Sequence, residues 1–298
     1  MPRIADDFLD CSLYLYPTLD DAKIGKRSGG SGFLVTVNGI IAGTPPDEAK
    51  EEPGYSSHFY AVSNRHVAEK NPIVRLNTHD GRFDVIPISH EDWTFTDYDD
   101  IAVAPVQFSQ AYKFLSVNVV AFLSKETAAS QDVGIGDEVF MVGRFISHDG
   151  IQKNSPSIRW GHISMVPSEP IYHHSNSNQE QEGFLVEIHS ISGYSGSPVF
   201  VRPFRTEKLN LVKDPEKKRP MAVQFKALHP GGWLLGVEWG YISSHDKSTN
   251  TGVSGVVPAW RLLNLLNMDK LRMQREQIQK QQAPREGGPF QRPEKANS

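Results

Sequence analysis

Gly193-Tyr194-Ser195-Gly196-Ser197-Pro198 holds a serine between two glycines in a G-x-S-G-x-P stretch. That stretch predicts a tight turn which exposes the Ser195 hydroxyl. The same turn aims the backbone N–H groups of Gly193 and Ser195 at one spot, so a nucleophile and an oxyanion hole arise within a few residues. A Cβ at Gly193 or Gly196 would resist the backbone conformations such a turn needs. Stretches of Gly, Ser and Pro also make ordinary turns, so the reading depends on what stands elsewhere in the chain.

Serine needs a base to take its proton, and the base needs a third group to orient it. Phe59-Tyr60-Ala61-Val62-Ser63-Asn64-Arg65-His66-Val67 reads as an apolar strand ending in a polar turn that carries a histidine. Tyr98-Asp99-Asp100-Ile101-Ala102-Val103-Ala104-Pro105-Val106 puts acids directly before another apolar strand. Neighbouring side chains on an extended chain point opposite ways, so only one of Asp99 and Asp100 can face the histidine. The order along the chain is His, Asp, Ser.

With these stretches in hand the chain resembles the trypsin-like serine peptidases of the chymotrypsin fold, nearest to the HtrA-type (Deg-type) protease core without a PDZ domain. The resemblance also rests on Gly29-Gly30-Ser31-Gly32-Phe33-Leu34, Gly136-Asp137-Glu138-Val139 and Gly252-Val253-Ser254-Gly255-Val256-Val257-Pro258. It implies an all-β fold of two six-stranded antiparallel β-barrels with a C-terminal helix. It also implies His66 as general base, Asp100 as its orienting carboxylate and Ser195 as nucleophile, with Gly193 and Ser195 forming the oxyanion hole. Asp99 is the competing acid, and the D-I-A register favours Asp100.

The resemblance locates a substrate pocket as well. Glu238-Trp239-Gly240 is similar to the edge strand that pairs with substrate backbone, with a glutamate where a small polar residue is usual. That carboxylate is expected to turn outward or to find a cation. His189, Ser192 and Gly252 complete the expected pocket. His189 stands where trypsins place the aspartate that selects basic side chains, so a trypsin-like preference for Arg or Lys is not implied. Tyr194 stands where zymogens carry the aspartate that pairs with a new N-terminus, which implies activity without such a cleavage.

Composition narrows the function classes. The chain of 298 residues is 38% hydrophobic and 22% charged with a net charge of −4, the balance of a soluble globular protein rather than a nucleic-acid binder. No apolar run is long enough to span a bilayer. The N-terminal residues lack the apolar core of a signal peptide, and the expected location is the cytoplasm. Cys11 is the single cysteine, so no intrachain disulfide forms. No cofactor or metal is expected. His173-His174 lacks a third ligand at zinc spacing and reads as part of a solvated loop.

Short apolar runs between turn residues read as strands. The expected organisation is an N-terminal segment and first barrel over 1–120 and a second barrel over 121–258. A C-terminal helix over 259–282 and a disordered tail over 283–298 follow. Beyond Met268 the helix turns polar and is expected to fray. Residues 202–230 are rich in Lys and Arg, and they read either as a solvated loop or as a docking surface for a protein partner. The leading function is a serine endopeptidase acting on protein or peptide substrates. The alternative is a partner-gated or non-catalytic binding module built on the same fold.

Overall fold

The computed structural model describes residues 3–40, 55–145, 150–173, 179–188, 193–202, 204–207, 224–227, 232–243 and 250–282. Its first lobe holds β1 (Ser12–Tyr16), β2 (Gly30–Ile40), β3 (Tyr55–Ser63), β4 (Ile73–Asn77), β5 (Phe83–Pro87), β6 (Thr94–Phe95), β7 (Ala102–Val106) and β8 (Val117–Asn118). Two short helices accompany them, α1 (Leu19–Ile24) and α2 (Arg65–Ala68). The second lobe starts with α3 (Lys125–Ser130) and continues through β9 (Glu138–Arg144), β10 (Pro156–Met165), β11 (Ile171–His173), β12 (Gln179–Gln181) and β13 (Phe184–Ile188). It ends with β14 (Pro198–Val201), β15 (Phe204–Glu207), β16 (Gln224–Ala227), β17 (Trp233–Ser243) and β18 (Asn250–Pro258), followed by α4 (Ala259–Leu266) and α5 (Asp269–Gln282).

The two-lobe, all-β architecture is present. The second lobe closes as a six-stranded barrel in the order β10-β13-β18-β17-β14-β9. The first lobe departs from the expected six strands. It is an eight-stranded half-barrel, ordered β5-β4-β1-β2-β3-β7-β6, with β8 parallel to β2. The additional central strand is β1, which pairs with both β2 and β4. Its five residues are all buried because both faces are covered. Leu13 and Leu15 enter the core of the half-barrel, while Tyr14 and Tyr16 pack with Ala22 of α1 on the other side.

Period-2 alternation directs the strands that carry the site. Leu34 and Ala61 point into the half-barrel core. Phe33, Val35, Tyr60 and Val62 point the other way, into a core shared with Phe140, Phe200, Val237 and Trp239 of the second lobe. Phe8, in the N-terminal 3-10 helix, crosses to the second lobe and packs edge-on to Phe140 and Phe200 at 5.4 and 5.2 Å. The lobes are therefore joined by a continuous apolar layer.

The C-terminal helices seal that layer. Leu262, Leu265 and Leu266 of α4 are buried in it, and so is Leu271 of α5. The expectation that the chain frays beyond Met268 is corrected. α5 lies against the first lobe, where Arg275 donates from Nη1 to the Tyr60 hydroxyl at 2.9 Å and to the Leu266 carbonyl at 2.8 Å. Gln279 approaches His58 at 3.4 Å. Buried Leu271 and the Arg275 hydrogen bonds together dock this helix. The expected disordered tail over 283–298 lies outside the described residues.

Candidate active site

His66 sits in the one-turn helix α2, directly after β3. Its backbone N–H donates to Asp100 Oδ1 at 3.0 Å, and its Nδ1 lies 2.6 Å from Asp100 Oδ2. A carboxylate only accepts, so Nδ1 carries the proton in this contact, and in a neutral ring Nε2 holds the lone pair. The Asp100 side chain is 1% exposed, whereas the imidazole is 24% exposed and can meet a substrate. The main chain around Asp100 is held as well. The Asn64 side-chain amide donates to its carbonyl at 2.8 Å, and its N–H donates to Gln181 Oε1 at 3.3 Å.

Asp99 takes a different partner. Arg261 of α4 donates from Nε to Asp99 Oδ1 and Oδ2 at 3.0 and 3.1 Å, and its Nη2 lies 2.9 Å from Oδ2. Burial pushes the Asp99 carboxyl above the usual carboxylate range, and the Arg261 fork opposes that shift. Of the two adjacent acids, Asp100 faces His66.

The Gly193–Pro198 turn adopts the conformation its glycines suggested. Gly193 has φ +100 and Gly196 has φ +90, in the region where a side chain is strained. A Cβ on Gly196 would lie 2.1 Å from the Ser31 carbonyl oxygen. Tyr194 between them is fully buried in the barrel core, with its hydroxyl paired to Ser157 Oγ and the Arg159 guanidinium 4.9 Å from its ring centroid. The Ser195 hydroxyl donates to the Trp239 carbonyl over 3.5 Å.

Ser31 of β2 ties this turn to the first lobe. Its N–H donates to the Ser195 carbonyl at 2.9 Å, and its hydroxyl donates to the Gly193 carbonyl at 2.8 Å. The same hydroxyl accepts from the Arg144 N–H at 2.9 Å. Gly30, one residue earlier, separates the two halves of the site. A Cβ there would lie 2.8 Å from Val67, the neighbour of His66, and 3.0 Å from the Ser195 carbonyl oxygen. Sequence reading quoted Ser31 inside a motif without giving it a part, and passed over Arg261. Neither residue type carries a local signal for its role.

The expected pocket residues are distributed unevenly. Gly240 lies beside Ser195, and a Cβ added to it would lie 3.9 Å from Ser195 Oγ. Trp239 is almost fully buried, its indole over Gly183 and Gly255. Glu238 does not turn outward. It is fully buried, its backbone N–H donating to the Ser197 carbonyl at 3.0 Å and its carbonyl accepting from Gly196 at 2.9 Å. The strand ladder that holds Gly196 and Ser197 therefore carries the residue inward. Gly252 borders a cavity of about 430 Å³ with Glu138, Trp160, His162 and Glu187 on the second barrel. His189 and Ser192 lie outside the described residues, as does most of the basic stretch 202–230. Among the described residues, no group of three or more His, Cys, Asp or Glu side chains could hold a metal ion. No helix there is long and apolar enough to cross a membrane.

A model of the trypsin-like peptidase domain matches residues 30–202, more than half of the chain. The chain belongs to the trypsin-like peptidase family. Among solved structures, this trypsin-like chain is similar to the MamO protease domain from Magnetospirillum magneticum. The two are 15% identical with a TM-score of 0.50, over 87% of this chain and 97% of that one. It is also similar to the HtrA-type protease AlgW, at 13% identity and a TM-score of 0.48, over 88% of this chain and 62% of that one. Deg5 follows at 13% identity and a TM-score of 0.45, over 87% and 88% of the two chains. Among curated proteins, no sequence matches. The fold is that of a trypsin-like peptidase, and the family match supports a serine protease.

Proposed function

We propose that this protein is a serine endopeptidase that hydrolyses peptide bonds in proteins through an acyl-enzyme. The observation that carries the proposal is the 2.6 Å contact between His66 Nδ1 and Asp100 Oδ2, set across Gly30 from the nucleophile turn. With Nδ1–H committed to Asp100, the Nε2 lone pair accepts the Ser195 proton as Oγ bonds to the substrate carbonyl carbon. The carbonyl oxygen takes up the electron pair and is held by the N–H groups of Gly193 and Ser195. The C–N bond then breaks, and the amine leaves with the proton from Nε2. Water repeats the sequence on the ester, releasing the acid and restoring the Ser195 hydroxyl.

Gly240 leaves room beside Ser195 for an extended peptide backbone, which favours binding by strand addition. The inward Glu238, with Trp239, His189, Ser192 and Gly252, would shape the pocket. Tyr194 packs as a core residue and cannot form the ion pair of a zymogen, so activity needs no new N-terminus. The single cysteine fits a reducing compartment, and we place the protein in the cytoplasm. Burial pushes the Cys11 thiol up to about 12, which keeps it inert there. The purified protein should cleave casein and react with a fluorophosphonate probe, and Ser195→Ala should do neither. Labelling that survives in Ser195→Ala overturns the assignment of Ser195 as nucleophile, and a wild-type protein that neither labels nor cleaves overturns this function and leaves the binding-module reading.

A further inference from the structure

Two carboxylates stand side by side at Asp99 and Asp100, at 5% and 2% exposure, and both are removed from water. Adjacent buried acids repel each other and compete for the same histidine. The contacts around them divide the roles. Arg261 closes on Asp99 with three short N···O contacts of 2.9–3.1 Å, a forked geometry that suits a carboxylate. The Arg261 guanidinium is itself framed. Tyr98 lies under it with the ring centroid 5.0 Å away, and Glu182 Oε2 lies 3.9 Å from Nη1. Glu182 in turn accepts from Trp260 Nε1 at 3.1 Å and pairs with Lys125 at 2.9 Å. Its neighbour Gln181 accepts the Asp100 N–H. Residues 181–182 and the start of α4 thus grip the Asp99-Asp100 dipeptide from the side opposite His66.

We propose that Arg261 is a positioning residue for the active site, holding Asp99 so that Asp100 alone is presented to His66. The inference rests on the protease reading above for its kinetic consequences, but its geometric content is independent of turnover. Loss of Arg261 leaves a buried Asp99 carboxylate with no counter-charge and the Thr96 hydroxyl at 3.5 Å as its donor, so it must take up a proton, rotate toward another donor, or pull the segment out of register. Rotation or a register change moves Asp100 relative to Nδ1, and protonation removes the charge-assisted tie that fixes the dipeptide. Displacement of a catalytic group by roughly 1 Å costs about 100-fold in rate in favourable cases. The C-terminal helix is thereby part of the catalytic support, although it contributes no atom to the reaction.

The test is a double-mutant cycle of Arg261→Gln and Asp99→Asn, with Arg261→Lys as the variant that keeps the charge but loses the fork. Two readouts are taken on each full-length protein: the fluorophosphonate labelling rate, and the downfield proton resonance of the short His66 Nδ1–Asp100 hydrogen bond. Arg261→Gln should slow labelling by about tenfold or more and broaden or shift the resonance, and Arg261→Lys should recover part of both. In the Asp99→Asn background the same Arg261→Gln change should cost less than about twofold, because no carboxylate is left to release. An equal cost in both backgrounds, or a wild-type resonance in Arg261→Gln, overturns the proposal. Should Arg261→Gln fail to melt cooperatively, the resonance in Arg261→Lys and in the double variant decides. Should the wild-type protein not label at all, the proposed function fails, and the resonance alone still decides the role of Arg261.

Discussion

Ser31→Ala removes one hydroxyl at the point where the two lobes meet, and its cost follows from that hydroxyl's two partners. Ser31 is fully buried. Its Oγ donates to the Gly193 carbonyl at 2.8 Å and accepts from the Arg144 N–H at 2.9 Å, so the substitution orphans one acceptor and one donor. Leaving a buried group unsatisfied costs about 1–3 kcal/mol. The backbone bond from Ser31 to the Ser195 carbonyl survives the change, which limits the total to about 2–4 kcal/mol. With a urea dependence of about 3 kcal/mol per molar, the unfolding midpoint should fall by about 1 M. The Gly193–Tyr194 peptide also loses the contact that fixes its plane, next to one of the proposed oxyanion donors. Labelling by a fluorophosphonate should therefore slow by about tenfold or more. Urea titration followed by tryptophan fluorescence, with labelling rates measured in the absence of denaturant, checks both. A midpoint within about 0.2 M of wild type, with unchanged labelling, refutes the reasoning.

Gly196→Ala should be worse for activity than for stability. Its Cβ would meet the Ser31 carbonyl oxygen at 2.1 Å at a φ of +90. Strain of about 1–3 kcal/mol is expected with about a 100-fold slower labelling rate, and equal rates would count against the turn geometry. Arg275→Met keeps the packing of the side-chain stem but leaves the Tyr60 hydroxyl and the Leu266 carbonyl without their donor. Thermal unfolding should show a loss of about 1–3 kcal/mol, and limited proteolysis should cut α5 earlier than in wild type. His58, packed against Ser56, Gln279 and Arg275, has its pKa lowered from the ordinary 6.5, first by burial and second by the Arg275 charge. Above that value His58 is neutral in both states and contributes nothing to the pH dependence. As pH falls through it, the unfolded chain takes up a proton that the folded chain refuses, so stability declines toward acid. His58→Gln should flatten that decline in melts taken from pH 8 down to 5, and an unchanged slope would assign it to other groups.

Much of the site was legible because its parts are local. The positive φ at Gly193 and Gly196, the histidine just past an apolar strand, and the acid before Ile101 each have a signature within a few residues. The strand β1 was not legible. Ser12–Tyr16 is buried on both faces and shows no alternation of apolar and polar residues. The helix α5 was misread as frayed for a related reason. Leu271, Arg275 and Gln279 lie on one face by their i, i+4 spacing, but two of them dock by hydrogen bonds to the Leu266 carbonyl, Tyr60 and His58. Hydropathy does not register burial of that kind. Glu238 was expected to turn outward or to find a cation, and it does not turn outward, because its backbone serves the ladder that holds Gly196 and Ser197 and the side chain follows.

From the sequence alone came the family, the all-β class and the residues able to donate, accept and attack, since these depend on residue type and short spacing. The D-I-A register already favoured Asp100 over Asp99, and only the tertiary structure supplied the group that holds Asp99, because that group, Arg261, lies 162 positions away in the chain. It also decided that Ser31, on a first-lobe strand, holds the Gly193–Pro198 turn of the second, a contact spanning 162 positions as well. Side-chain chemistry is written locally. Its direction is set by whichever distant groups the packed core brings within hydrogen-bonding distance.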